Sequence, residues 1–224
     1  MGPVEFASVE DVMRLAELTE LSPDVVTEAI EGSAVAQNHL GDSLVQTVEY
    51  ELGLAFLTES AYQGLPWAVS NFNWNCIHTE EFERARNLFE VATAPCELFI
   101  LANDEDESFQ QQAAAQWVNA RSNDALCSLA LGEDPTYALT TWDECAATGH
   151  AESLFYPALA LYRSGSIEEA KRIVNNLDSE VMGEIRTVLW DGGAASQGWF
   201  QLWCEDGLDL LVLADADYEE PEAE

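Results

Sequence analysis

Basic residues are what this chain has least of. Its 224 residues include 8 Lys and Arg against 42 Asp and Glu, which leaves a formal net charge of −34. Lysine occurs once, as Lys171. A field of that sign repels nucleic acid, anionic membranes and acidic ligands, and it attracts basic surfaces. Cysteine is present five times, an odd number, and no CxxC occurs. A disulfide framework or a zinc site is therefore not expected, and reduced, buried thiols are. No apolar run approaches the roughly 18 residues that a membrane helix needs. The opening "MGPVEFASVEDV" has neither a basic n-region nor an apolar h-region, and Phe6 stands where a myristoylation signal needs Ser or Thr. The expectation is a cytoplasmic protein without membrane contact.

Signatures of chemistry are missing too. The phosphate-cradling patterns GxGxxG and GxxxxGK[ST] do not occur, nor do GxSxG and HExxH. His39, His78 and His150 lie far apart in sequence and make no metal-ligand spacing. "NDEDES" (103–108) has oxygen ligands of the kind calcium takes, but not the glycine and glutamate that close an EF-hand loop. It reads instead as a solvated helix start, where carboxylates favour exposed N–H groups. No catalytic residue, cofactor or metal is expected, and the chain is not read as an enzyme.

Apolar material is plentiful. Hydrophobic residues make up 48% and aromatics 10%, with seven tryptophans, which is the composition of a folded protein. Its arrangement is periodic. "ESAYQGLPWA" (59–68) and "ECAATGHAES" (144–153) align without gaps, pairing Glu59 with Glu144, Ala61 with Ala146 and Gly64 with Gly149. Small residues recur as Ala36, Ala68, Ala115 and Ser153, each followed five positions later by Gly41, Asn73, Ala120 and Ala158. A second set, Gly53, Ala85, Ala138 and Ala170, is followed at four positions by Leu57, Phe89, Trp142 and Val174. The two sets are offset by 17, 17, 23 and 17 residues. Positions four apart share a helix face. Each unit therefore reads as two helices whose backbones approach closely at the small residues. The long third offset contains "SNDALCSLALGEDPT", which reads as its connection.

"AVAQNHLG" (34–41), whose A-x-A-Q start returns in "AAAQWVNA" (113–120), resembles the first helix of a tetratricopeptide-type hairpin, closest to the Sel-one-like repeat. The residues that carry the likeness are Ala34, Ala36, Gln37, Leu40 and Gly41, then Ala146, Ala147, Gly149 and His150. "TEEFERARNLFEVA" (79–92) and "GSIEEAKRI" (165–173) look like second helices. The resemblance implies an all-α fold of antiparallel helical hairpins stacked as a short right-handed solenoid. We expect one domain over 1–213. It comprises N-terminal cap helices at 8–30, about four hairpins over 31–180 with an insertion near 93–112, and a C-terminal cap at 181–213. A disordered acidic tail is expected over 214–224. Pro23 after Ser22 marks a helix start within the cap.

In the resembling family the first helices line a concave surface that binds peptides or proteins. Between the packing positions this surface would offer Asn38, His39, Asn71 and Trp74. Trp142 reads as core, whereas Trp74, two residues past a core-like Phe72, reads as outward. With Asp104, Glu105, Asp106 and Glu107 of the acidic segment added, the expectation is a non-catalytic adaptor for a basic protein partner. One alternative is a nucleic-acid mimic, since duplex DNA presents one charge per ~1.7 Å of axis and carboxylate-rich helices could occupy a DNA-binding cleft; the scarcity of lysine fits equally an acidic surface adapted to high salt or to an acidic proteome, with no specific partner.

Overall fold

The computed structural model describes residues 8–102, 107–149 and 166–174, with residues 154, 157, 158 and 161 between the last two segments. The described chain is mostly helical, neighbouring helices pack on one another, and no strand occurs among the described residues. The expected C-terminal cap and acidic tail, and the first helix of the fourth hairpin apart from isolated residues, lie outside the described ones.

Contacts divide the chain into two compact units. One takes 1–75 and 87–120, the other 76–86 and 121–224. In the first, α1 (Val9–Thr19) begins at Ser8, whose hydroxyl accepts from Asp11 N–H, and α2 (Pro23–Ile30) begins with Pro23 after the Ser22 cap. Proline tolerates this place because the first helical N–H has no partner inside the helix. Helix α3 (Ala34–Leu44) packs on α2 and on α4 (Tyr50–Tyr62). Leu15, Val26, Ala29, Leu40 and Leu44 are fully buried in the shared core.

Close approach of α3 to α4 is made possible by two glycines. A Cβ on Gly53 would lie 2.6 Å from Val45 N and 2.8 Å from the Gly41 carbonyl oxygen. Ser60, two residues before the end of α4, donates to the Ala34 carbonyl at 2.7 Å. This unit also holds most of α5 (Pro66–His78), α6 (Phe82–Ala102) from residue 87, and α7 (Glu107–Ala130) as far as residue 120. Gly64, in the α4–α5 turn, has φ +87 and rests against the Pro95 carbonyl, which a Cβ would meet at 2.5 Å. Phe89 stacks on Trp117 at 5.0 Å between centroids, and Trp67 on Phe109 at 5.4 Å.

The second unit contains the remaining parts of α5, α6 and α7, then α8 (Pro135–Ala147) and α9 (Ile167–Val174). Trp142 is fully buried, with its indole N–H donating to the Ser122 carbonyl at 3.2 Å. Helix α9 packs on α8, and Arg172 pairs with Asp143 at 3.0 Å.

The small-residue positions are buried where helices meet: Ala36, Ala68, Ala85, Ala138 and Ala170 are at most 3% exposed. The third register is corrected. Ala115 is half-buried, while Ala120 and Ala125 are fully buried. Helix α7 continues through "SNDALCSLA" to Ala130, so only residues 131–134 connect it to α8. Ala120 and Ala125 stand ten and five residues before its end, as Ala68 and Asn73 do before the end of α5 at His78. The offset to Ala138 falls from 23 to 18. The period breaks at 93–112 because α6, with 21 residues, and α7, with 24, run longer than the 13-residue α4 and α5.

Candidate functional site

Amide side chains tie α3 to α5 and to the end of α4. Asn71 on α5 donates from Nδ2 to Asn38 Oδ1 on α3 at 3.1 Å. Gln63, just after α4, donates from Nε2 to Gln37 Oε1 at 2.7 Å. Asn75 Nδ2 donates to the Asn71 carbonyl at 2.8 Å, one turn along the same helix. Asn38 is buried and Asn71 half-buried, so Asn38 acts as the internal support and Asn71 reaches the surface. His39 is exposed. Trp74 is half-buried and lies three residues from Asn71, the spacing of neighbours on one helix face. Phe72 is core, as expected, at 2% exposure.

Among the acidic candidates, Glu107 opens α7 and is exposed. Asp104, Glu105 and Asp106 lie outside the described residues.

A second polar cluster, not anticipated from sequence, lies in the second unit. Asp124 on α7 is completely buried. One of its oxygens accepts from Arg86 Nη1 at 2.6 Å and from the Tyr137 hydroxyl at 2.6 Å. The other oxygen is buried and has no hydrogen-bond partner. Arg86 also reaches Glu133 at 2.9 Å, which accepts from Ser128 Oγ at 2.6 Å, and its guanidinium lies 5.2 Å from the Tyr137 ring centre. The sequence signal was present but faint: Asp124 is an acid amid "NDALCSLA", and Arg86 is one of few cations.

Burial dominates the electrostatics of this cluster. Desolvation raises the Asp124 carboxyl above its ordinary value, against the hydrogen bond from Tyr137 and the charge of Arg86. Desolvation, then the bond to Asp124, pushes the Tyr137 hydroxyl up to about 12. The thiols move the same way. Burial carries Cys96 to about 12, Cys145 to about 11, and Cys127 well above its ordinary value. A nucleophile at neutral pH needs the opposite displacement. The cluster therefore has the chemistry of a clamp between α6, α7 and α8. No group of three or more His, Cys, Asp or Glu able to hold a metal occurs among the described residues.

No family model, curated protein or solved structure matches this chain. Its functional reading therefore rests on its own residues. Among the described residues no helix is long and apolar enough to cross a membrane.

Proposed function

We propose that the chain is a tetratricopeptide-like protein, closest to the Sel-one-like type, whose hairpins stack as a short right-handed solenoid. In this reading it is a non-catalytic adaptor for a basic protein. Three features support the architecture: the recurrence of buried small residues in successive helix pairs, the repeated turn glycines Gly64 and Gly149, both at positive φ, and the single amide bond from Asn71 on α5 to Asn38 on α3. Asn71, His39 and Trp74 would meet the partner, with Asn38 holding Asn71. Glu107 and its neighbours Asp104, Glu105 and Asp106 would add to the field that steers it.

The observation that carries the partner's chemistry is how the cations are used. Arg14, Arg84, Arg86, Arg121, Lys171 and Arg172 each close an ion pair with a carboxylate of the chain itself. They are the only Arg and Lys among the described residues. These six cations are committed to internal pairs, which leaves the chain's 42 acidic residues in large surplus over the cations that remain. Such a surface raises the association rate with a basic protein more than it raises affinity, and salt weakens it.

The test is affinity capture with the full-length protein, using elution by rising salt and, separately, by duplex DNA. Basic proteins that elute with salt and do not respond to DNA are expected. Partners with neutral or acidic surfaces, held against high salt, would overturn the electrostatic reading. Displacement by DNA would favour the mimic.

A further inference from the structure

We propose that the outward face of α6, from Val91 to Leu101, docks a basic amphipathic helix; the proposal rests on the acidic-adaptor reading and names its surface. Helix α6 turns Leu88, Ala92 and Cys96 into the core. The opposite side of such a helix is ordinarily polar. Here it carries Val91, Ala94, Leu98 and Leu101, spaced by three, four and three residues, and all four are exposed. Val91 is 54%, Leu98 66% and Leu101 69% exposed. Ten residues of helix span ~15 Å, so the apolar row covers nearly three turns. Contiguous apolar surface of this kind marks an interaction site more often than scattered exposed leucines do.

Carboxylates border the row. Glu90 and Glu97, seven residues apart and both exposed, form one edge of it. No Lys, Arg or His occurs anywhere in 87–120. The complementary occupant is a helix with apolar residues at matching spacing and Lys or Arg along one flank. Charge argues against the two other candidates. A second copy would bring Glu90 and Glu97 against their own counterparts, between chains each of formal charge −34. The chain's own segment 175–224 carries thirteen acidic residues and a single cation, Arg186. Apolar contact would supply affinity that salt does not screen, and the glutamates would set orientation.

The experiment uses the full chain and two labelled helical peptides, read by fluorescence anisotropy. One peptide has Leu at spacings of three and four with Lys on the adjoining flank. In the control peptide every Leu is Gln and the charge is unchanged. The Leu peptide should bind and keep most of its affinity at physiological salt, whereas the control should lose its binding there. Leu98→Gln with Leu101→Gln replaces exposed side chains, and unchanged circular dichroism would confirm the fold. This variant should weaken the Leu peptide about tenfold or more. Glu90→Gln with Glu97→Gln should slow association at low salt. If the leucine variant binds the peptide like the wild type, the surface is wrong while the adaptor reading stands. Equal binding of the two peptides has the same meaning. Two results would reassign the face and overturn the proposal. Conversion of a dimer to a monomer by the leucine variant, seen by light scattering, would make a second copy the occupant. Faster hydrogen exchange in 175–224 in that variant would make it the chain's own segment.

Discussion

Gly41 and Gly53 face each other across α3 and α4 so closely that a methyl group on Gly53 would stand 2.8 Å from the Gly41 carbonyl oxygen. The nearest atom to that methyl would be Val45 N at 2.6 Å, also backbone, so no side-chain rotation makes room. Gly53→Ala gains helix propensity of about 1 kcal/mol but forces the helices apart, which costs about 1–3 kcal/mol. We expect a net loss of stability in urea denaturation. A variant more stable than wild type by the full propensity gain of about 1 kcal/mol would show that the two helices can separate without penalty.

Register can be tested with charge insertions. Ala85→Glu, Ala138→Glu and Ala120→Glu each place a long charged side chain at a buried position, and losses of ~3 kcal/mol or more are expected. Ala115→Glu, at a half-buried position, should be tolerated far better. Thermal melts of the four variants decide the matter. Equal losses at Ala115 and Ala120 would contradict the corrected third register.

The clamp at Asp124 predicts a pH-dependent defect. The folded state holds the Asp124 proton to a higher pH than the unfolded chain does, because desolvation raises the carboxyl. Its ionisation therefore costs stability as pH climbs from the ordinary carboxylate range through the folded value. Arg86 offsets that cost. Arg86→Met should lose about 3 kcal/mol at neutral pH, by stranding a buried anion, and recover part of the loss as pH falls and Asp124 protonates. Arg86→Met combined with Asp124→Asn should be less unstable at neutral pH than Arg86→Met alone. Denaturation curves at several pH values give both readings, and a pH-independent loss would mean the guanidinium matters only for packing.

Stability should rise with neutral salt between low and moderate concentration. Self-repulsion among −34 formal charges opposes compaction. A Debye length shortened to about 10 Å at 0.1 M relieves it. A melting temperature that stays flat across that range would show carboxylates too widely spaced to repel.

Helical pairing was legible in the sequence because packing of close helices is enforced by size. Gly41, Gly53, Ala85 and Ala138 could be read from spacing, since a larger side chain at those places has nowhere to go. Helix α7 misled because Ala115 and Ala120 repeat the five-residue interval that Ala120 and Ala125 also satisfy. The point where α7 ends, at Ala130, and the burial of Ala120 and Ala125 select between them. The Asn38–Asn71 contact was half legible: both residues stood out between packing positions, but their bond to each other depends on how α3 and α5 meet. Arg86 and Asp124 are 38 residues apart, and nothing local pairs them. A buried carboxylate looks like any other until its neighbours are known.

The four described cysteines give the molecule a clock for its own opening. Cys76, Cys96, Cys127 and Cys145 are buried. The thiols of Cys96, Cys127 and Cys145 are raised by desolvation, so in the folded chain they are scarcely ionised at neutral pH. A thiol reagent can modify these groups only while the surrounding helices are apart. Cys96 lies in the first compact unit and the other three in the second. The rates at which they are modified would therefore report how often each unit loosens, without any label being introduced.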